Sequence, residues 1–302
     1  MSVKLSLVIP CYNEEDNIYN VFSHIKSGIE SYTDSYELVF VNDGSSDKTM
    51  KRLRKLFEEN RETKITVVSF SRNFGKEAAM YAGLSNAKGD YVAIIDADLQ
   101  QDVKYVVKMA EILDENEDAD MVAAYQEKRK EGKFITLCKE NFYKLINKMT
   151  DVPFVENASD FRMMRRAVVK TILSLPEYHR FSKGIFSWVG YNTVSIPYEV
   201  KEREAGETKW NFRKLLKYAF EGIMAYTDLP LKLPFYLSAL SFVLGFIMLF
   251  AYSVTSGLVL FVGAAVLFSV GVLGSYVGKI HTQVKERPIY IAKEILSYDK
   301  ND

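Results

Sequence analysis

The chain has few of the residues that build disulfide-linked or metal-centred scaffolds. Only two cysteines and three histidines occur among its 302 residues. This excludes a disulfide framework and a Cys-rich metal site, and the histidines show no ligand spacing. An excess of charge of one sign is also lacking, because 39 Lys and Arg residues balance 39 Asp and Glu residues. A whole-protein basic field, and with it a nucleic-acid partner, is therefore excluded as a first hypothesis.

Two common nucleotide-binding motifs are missing as well. No G-x-x-x-x-G-K-[ST] sequence occurs, which argues against a P-loop NTPase, and no G-x-G-x-x-G follows the first apolar segment, which argues against the usual dinucleotide-binding fold. Hydrophobic residues make up 48% of the chain, so a folded core is easily supplied.

The apolar residues are unevenly distributed, and one long run carries no charge. This run extends from Leu233 to Gly278 and is interrupted only by the polar break Thr255–Gly257. The two halves, Pro234–Val254 and Leu258–Lys279, are each long enough to span a bilayer once as a helix. The short break predicts a transmembrane helical hairpin, and the alternative is a hairpin buried inside a soluble protein.

Positive residues flank this run on both sides, and the connecting break has none. The positive-inside rule predicts a multi-pass protein of the cytoplasmic membrane with both termini in the cytoplasm. Just upstream, Lys209–Tyr226 has the apolar spacing of an amphipathic helix, which predicts a helix in the membrane interface; the alternative is an ordinary surface helix. The flanking positive residues are Arg213, Lys214, Lys217, Lys232, Lys279, Lys285, Arg287 and Lys293.

The first part of the chain alternates strand and helix patterns. Such alternation predicts an α/β domain with a doubly wound, mostly parallel sheet and helices on both faces. The predicted strands are Val3–Pro10, Tyr36–Val41, Ile65–Phe70, Tyr91–Ile95 and Met121–Tyr125. The predicted helices are Asn17–Glu30, Lys48–Asn60, Glu77–Asn86 and Val103–Glu115.

Polar clusters follow three of these strands, at the end of the sheet where α/β proteins bind ligands. Strand periodicity puts Asp96 and Asp98 on one side, and Gln100 adds an amide oxygen. These oxygens can hold a hard divalent cation, Mg²⁺ or Mn²⁺, that bridges substrate phosphates; the alternative is a solvated turn. The three clusters are Cys11–Glu14, Asn42–Asp47 and Asp96–Gln100.

Eight short motifs occur in a fixed order along the chain. They are Val8–Glu15, Val41–Asp47, Ser71–Lys76, Asp96–Gln100, Ser159–Arg162, Arg180–Trp188, Arg203–Lys209 and Lys285–Pro288. The first, second and fourth motifs resemble those of the inverting nucleotide-sugar glycosyltransferases of the GT-A fold. With all eight, nearly the whole chain resembles the polyprenyl-phosphate glycosyltransferases, the group of bactoprenol glucosyltransferases and dolichol-phosphate mannose synthases.

The resemblance implies a role for each matching residue. It places Asp160 nearest the reacting carbon, as an orienting group or as a base, and counts Asp96 with it as catalytic. It assigns the metal to Asp98 and Gln100, with Asp96 nearby. It assigns the acceptor phosphate to Arg129, Arg203 and Lys209. It assigns the donor to Pro10, Tyr12, Glu14, Asp43, Lys76, Asp96, Ala97 and Asp98. The alternative for Asp43 is a turn-stabilising residue, and the two roles are compatible.

These observations predict a membrane glycosyltransferase that moves one hexose from a nucleotide sugar, with UDP-glucose or UDP-GlcNAc expected, to undecaprenyl or another polyprenyl phosphate. The predicted parts are a GT-A domain (1–205), a juxtamembrane region (206–232), a hairpin (233–279) and a cytoplasmic tail (280–302). The resemblance further implies a flippase and a second glycosyltransferase downstream, for cell-envelope glycosylation, and a homo-oligomer is one expectation for the assembly.

The sequence departs from the family pattern at three places. Gln101-Asp102 stands where Asp-Pro is usual, Ser159 where many members have Gly, and Gln126 where a basic residue is usual. These departures bear on sugar identity and acceptor binding. Two other functions stay open: a processive polysaccharide synthase, which usually has more spans and a Gln-x-x-Arg-Trp motif, and a non-catalytic membrane-anchored nucleotide-sugar binding scaffold.

Overall fold

The computed structural model describes residues 3–126, 158–199 and 255–299, with a few positions between 234 and 244. The strands are β1 (Leu5–Cys11), β2 (Tyr36–Asn42), β3 (Ile65–Phe70), β4 (Tyr91–Ile94), β5 (Met121–Gln126), β6 (Ala158–Arg165), β7 (Thr193–Tyr198) and β8 (Ala292–Ser297). The helices are α1 (Ile18–Ile29), α2 (Thr49–Glu59), α3 (Lys76–Asn86), α4 (Val103–Glu115), α5 (Arg166–Ser174), α6 (Ser182–Trp188) and α7 (Thr255–Val284).

The strands form one eight-stranded sheet in the order β7-β5-β6-β4-β1-β2-β3-β8. The neighbours in β4-β1-β2-β3 are parallel, and so are β5 and β7. Strand β6 is antiparallel to both of its neighbours, and β8 is antiparallel to β3. The predicted α/β class is confirmed, and every strand and helix predicted up to residue 125 is present within one or two residues of its expected ends.

The central strands are buried on both faces, which is why they are apolar almost throughout. Side chains of β1 alternate between two cores: Leu7 and Ile9 face the core under α1, α2 and α4, whereas Val8 faces the core under α3, α5 and α6. Helix α3 packs closely on β1 at Gly83. A Cβ there would come within 2.1 Å of the Val8 side chain, so this close approach requires glycine. This packing fixes the carboxyl ends of the parallel strands along one edge.

Strand β8 joins the chain's last described segment to the sheet. Residues 280–302 are predicted as a tail that follows the membrane segment, yet Ala292–Ser297 pairs with β3 over most of its length. At the opposite end of the sheet from the polar clusters, the Tyr298 hydroxyl donates to buried Glu37 (2.8 Å), which also accepts from Ser6 Oγ (2.6 Å). Burial and this carboxylate raise the pKa of Tyr298. The division of the chain at 205, 232 and 279 stays a prediction.

The membrane prediction is tested only in part. Within the described ranges, one helix is long and apolar enough to cross a bilayer by length and composition, the segment Val262–Val284. It overlaps the second predicted span, Leu258–Lys279. The two-helix hairpin is not confirmed, because most of Pro234–Val254 lies outside the described residues, as does the predicted interfacial helix Lys209–Tyr226.

Removing the Tyr298 hydroxyl should destabilise the protein. We expect Tyr298→Phe to lower the free energy of unfolding by about 1–3 kcal/mol, because it leaves an oxygen of the buried Glu37 carboxylate without its donor. Ser297→Ala, which changes an exposed hydroxyl interaction of the same strand, is the matched control and should stay within about 0.5 kcal/mol. Denaturant unfolding of the purified protein measures both, and equal stability of Tyr298→Phe and wild type would contradict the assignment.

Candidate active site

The loops after β1 and β2 are joined by hydrogen bonds into one unit. Asn13 has a left-handed backbone (φ 53°) and its side-chain oxygen accepts from Ser46 N–H (2.9 Å), while its own N–H donates to Ser45 Oγ (3.0 Å). Glu14 N–H donates to Thr49 Oγ1 (2.9 Å), at the start of α2. The predicted donor-binding residues of the first cluster are thereby held beside those of the second.

Asp43 links this unit to the loop before α3. It is buried, and its carboxylate accepts from the N–H groups of Phe74 (2.7 Å) and Gly75 (3.0 Å). Burial raises the pKa of Asp43, against the effect of the two N–H groups. The neighbouring Gly44 has φ 59°, and a Cβ there would lie 2.2 Å from the backbone of Arg72, so only glycine fits. The structure thus shows the loop-stabilising role of Asp43, while contact with the nucleotide stays a prediction.

The loop after β4 is stabilised by the residue that departs from the family pattern. Gln101 is 4% exposed, and its side-chain oxygen accepts from Asp96 N–H (2.9 Å) while its amide donates to the Asp96 carboxylate (3.0 Å). Between them the chain turns at Leu99, which has φ 59°, and Asp98 accepts from Gln100 N–H (3.2 Å). Gln101 therefore fixes the position of the Asp96 carboxylate.

Lys76, the first residue of α3, connects the two predicted catalytic carboxylates. Its ammonium lies 2.8 Å from Asp96 Oδ1 and 3.0 Å from Asp160 Oδ2. Strand pairing explains why the carboxylates are close: Ile94 of β4 lies opposite Arg162 of antiparallel β6, so continuing the register brings Asp96 opposite Asp160. Burial alone would lower the pKa of Lys76, but the two carboxylates outweigh it and raise that pKa.

Asp160 is held as an anion in a largely buried position. Burial alone would raise its pKa, but the charges of Lys76, Lys183 and Arg162 outweigh burial and lower it to about 2. Its Oδ2 contacts Lys76, whereas its Oδ1 is buried and has no hydrogen-bond partner among the described residues. Buried acceptor oxygens are normally hydrogen-bonded, so Oδ1 can accept from a donor group that enters the cleft.

A second pair, Glu77 and Ser182, lies beside the first and was not predicted. Glu77 follows Lys76 on α3, and its carboxylate accepts from both Ser182 N–H (2.9 Å) and the Ser182 hydroxyl at the start of α6. Burial and the nearby charge of Asp160 raise the pKa of Glu77 to about 7, against the effect of Ser182 and Lys76. No sequence pattern predicts this pairing, because the two residues are 105 positions apart.

The described part of the chain holds no group of three or more His, Cys, Asp or Glu side chains that could hold a metal ion. Asp96, one of the predicted ligands, already contacts Lys76 and Gln101. The assignment of the metal to Asp98 and Gln100, with Asp96 nearby, stays a prediction, and the carboxylate and amide oxygens of Asp98 and Gln100 suit Mg²⁺ or Mn²⁺. Two protein oxygens do not complete the coordination of such an ion, so substrate phosphates and water would have to provide the remaining ligands.

The other predicted residues divide into two groups. Pro10 lies near the carboxyl end of β1, and Tyr12 and Ala97 lie in the loops that follow β1 and β4, with Tyr12 exposed and Ala97 buried. Arg129, Arg203 and Lys209, predicted to bind the acceptor phosphate, lie outside the described residues. Gln126, a departure from the family pattern, donates to the Tyr198 hydroxyl (3.1 Å).

Comparisons with known proteins identify the family and the fold of the chain. Residues 6–173 match the family model described as glycosyl transferase family 2. Relatives include an uncharacterized glycosyltransferase of Synechocystis (38% identity, 98% of this chain and 96% of the relative). They also include a prophage-derived bactoprenol glucosyl transferase of Shigella flexneri (38% identity, 97% and 98%). Among solved structures, the mannosyltransferase of Pyrobaculum calidifontis in complex with GDP-Man and Mn²⁺ is similar, with a TM-score of 0.52 and 17% identity over 95% of this chain and 86% of that one.

The mixed sheet with its polar clusters at the carboxyl ends of parallel strands is thus a glycosyltransferase fold of the GT-A type. The chain belongs to glycosyl transferase family 2, and it is an enzyme that transfers a sugar. The predicted family and enzyme class are confirmed.

The raised pKa of Glu77 predicts a pH-dependent stability that Glu77→Gln abolishes. Folded Glu77 binds its proton more tightly than unfolded Glu77, so protonation stabilises the folded state below about pH 7. The stability of wild type relative to Glu77→Gln should fall as pH rises from about 4.5 to about 7, and then level off. The change should be at most about 3 kcal/mol, measured by denaturant unfolding. A difference that stays constant across this range would contradict the assignment.

Proposed function

We propose that the enzyme transfers one hexose from a nucleotide sugar, UDP-glucose or UDP-GlcNAc, to a polyprenyl phosphate such as undecaprenyl phosphate. The observation that carries this proposal is the Lys76 ammonium between Asp96 and Asp160, because it joins the loop for the donor diphosphate to the residue predicted at the reacting carbon. Relatives named bactoprenol glucosyl transferase match over nearly the full chain, which supports a lipid carrier as acceptor.

The donor would lie across the carboxyl ends of β1, β2 and β4. The rigid unit of Asn13, Glu14 and Asp43 borders the nucleotide, and the Asp96–Gln100 loop receives the diphosphate. Asp98 and Gln100 would hold the divalent ion, and that ion, when bound, would supply Lewis-acid stabilisation of the charge on the leaving diphosphate. The complex of the Pyrobaculum calidifontis mannosyltransferase with GDP-Man and Mn²⁺ supports this expectation.

The acceptor needs little help from a base. A phosphate monoester has its second pKa near about 6 and is largely a dianion at neutral pH. One of its oxygens attacks the anomeric carbon, the bond from that carbon to the diphosphate breaks, and the nucleoside diphosphate leaves. Direct attack from the opposite side inverts the anomeric centre.

Asp160 acts in this scheme as an anion and not as a base. A carboxylate whose pKa is about 2 is a poor acceptor for a proton from a phosphate group. Its buried Oδ1 is suited to accept from a sugar hydroxyl, and its charge stabilises the positive charge that develops at the anomeric carbon. Lys76 holds it in place for both tasks.

The apolar helix supports a membrane location. Helix α7 is apolar all round and is exposed on several sides, as shown by Val259, Leu267 and Val270 with exposures of 66%, 74% and 60%. A helix of this kind requires lipid or another apolar surface around it. Its end contacts the catalytic domain, where Gln283 donates to Pro176 O (2.8 Å) and accepts from Tyr178 N–H (2.9 Å).

This contact would keep the catalytic cleft close to the bilayer that carries the acceptor. We keep the two-span hairpin, the cytoplasmic termini, and a downstream flippase and second glycosyltransferase as parts of the proposal. Transfer on the cytoplasmic face would then supply a lipid-linked monosaccharide for use across the membrane.

Product formation tests the proposal directly. Purified enzyme is incubated with undecaprenyl phosphate, Mg²⁺ or Mn²⁺ and single UDP- or GDP-sugars, with and without EDTA, and the lipid is analysed by mass spectrometry. We expect one hexose per lipid, loss of product with EDTA, and a rate at least about 100-fold lower in Asp98→Ala. Asp34→Ala, at the other end of β2 from the cleft, is the control and should keep wild-type activity.

The other outcomes separate the competing functions. Long glycan chains would indicate a processive synthase, and donor binding without turnover would indicate a scaffold. Product that forms equally well in EDTA and in Asp98→Ala would contradict the metal role.

A further inference from the structure

The start of α6 is fixed next to the cleft by a buried interaction. Adjacent residues of α3 reach in two directions: Lys76 binds Asp160 on β6, and Glu77 binds both the N–H and the hydroxyl of Ser182. Ser182 is 6% exposed, so this interaction is shielded from solvent. The first residue of α6 is therefore tied to the helix that carries Lys76.

A second contact fixes α6 against β6. The Arg162 guanidinium lies 3.7 Å from the centre of the Phe186 ring, and both side chains are buried. Arg162 follows Asp160 by two residues on the same face of β6. Because Ser182 and Phe186 are one helical turn apart, these two contacts hold the first turn of α6 against α3 and β6.

Lys183 lies between these two anchors and differs from the other cations of the site. Lys76 binds two carboxylates, and Arg162 donates to Ser159 O (2.8 Å) and packs on Phe186. The Lys183 ammonium makes no ion pair or hydrogen bond with any residue that the structure describes. Its side chain is only partly buried, and its charge helps to lower the pKa of Asp160.

A cation in this position suits a phosphate ligand. The Asp160 carboxylate would repel an incoming dianionic phosphate, so a positive charge beside that carboxylate favours the approach of the acceptor to the same carbon. Lys76 already contacts two carboxylates, whereas no residue in the described ranges pairs with the Lys183 ammonium, whose three N–H donors suit an incoming phosphate. A primary ammonium can bind any of the oxygens of a phosphate monoester as a point charge.

We infer that Lys183 binds the phosphate of the lipid acceptor, and that Glu77 positions Lys183 by holding Ser182. The inference rests on the proposed function and names one side chain of its acceptor site. Lys183 is the binding residue, while Glu77 and Ser182 are positioning residues.

Binding and turnover are measured separately to test it. The full-length purified protein is titrated with farnesyl phosphate and with farnesol, and then assayed with undecaprenyl phosphate and the active donor. We expect Lys183→Gln to weaken farnesyl phosphate binding about 10- to 100-fold. The affinity of Lys183→Arg should lie between those of wild type and Lys183→Gln. The acceptor KM should rise, while the donor KM and the melting temperature stay unchanged. Lys170→Gln, an exposed lysine of α5, is the control and should behave like wild type.

The positioning role has its own readout. Ser182→Ala removes the hydroxyl donor but keeps every charge, and it should raise the acceptor KM about 2- to 5-fold with an unchanged donor KM. An equal effect on both KM values would mean a merely structural role and would overturn this part. If Lys183→Gln loses donor affinity as well, the farnesyl phosphate titration without donor decides whether Lys183 binds the phosphate.

Failure of this inference and failure of the proposed function look different. Wild-type farnesyl phosphate affinity in Lys183→Gln overturns the inference and leaves the function intact. Phosphate binding that depends on Lys183, without any lipid-linked product, supports the site and overturns the function. Wild-type protein that forms lipid-linked product but binds farnesyl phosphate no better than farnesol also overturns the inference and leaves the function intact.

Discussion

The rest of the site depends on the ion pairs that the Lys76 ammonium makes with Asp96 and Asp160. Two carboxylates that face each other across β4 and β6 would repel, and burial makes that repulsion costly. One lysine 2.8 Å from Asp96 and 3.0 Å from Asp160 removes the repulsion and keeps Asp160 ionised. Because Lys76 begins α3, its position in turn requires the loop before that helix to be fixed, which is what the buried Asp43 carboxylate does through Phe74 and Gly75.

The sheet topology brings the residues of the site together. Parallel strands end at one edge and bring three loops together there, while antiparallel β6 brings Asp160 to the same place from the opposite chain direction. The Gln101 amide donates to the Asp96 carboxylate and holds it in place, and Glu77 links the start of α6 to α3. Asp96 and the start of α6 are thus held by neighbours, Gln101 and Glu77, that make no contact with the reacting atoms in our account. Such support is what allows a site to meet its substrate without rearrangement.

The sequence predicted the first five strands and four helices because each has a clear period and a clear ending. It also placed Asp43, Asp96 and Asp98 at the correct edge. It did not identify β8, since a short mixed segment such as Ala292–Ser297 becomes a strand only through pairing with β3. The partners of Lys76 and the Glu77–Ser182 bond were equally invisible, because they depend on side chains distant in sequence. Gln101 was noted only as a departure, although its burial under Asp96 gives it a structural role.

A double-mutant cycle on Lys76 and Asp160 tests the central claim most directly. Donor kcat/KM is measured for wild type, Lys76→Gln, Asp160→Asn and the double variant, with thermal unfolding to confirm folding. If the lysine acts through the carboxylate, the single losses will not multiply, and the double variant will be at least about tenfold more active than their product predicts, a coupling of about 1.4 kcal/mol or more. Losses that multiply would show that Lys76 and Asp160 act independently, and would contradict the account.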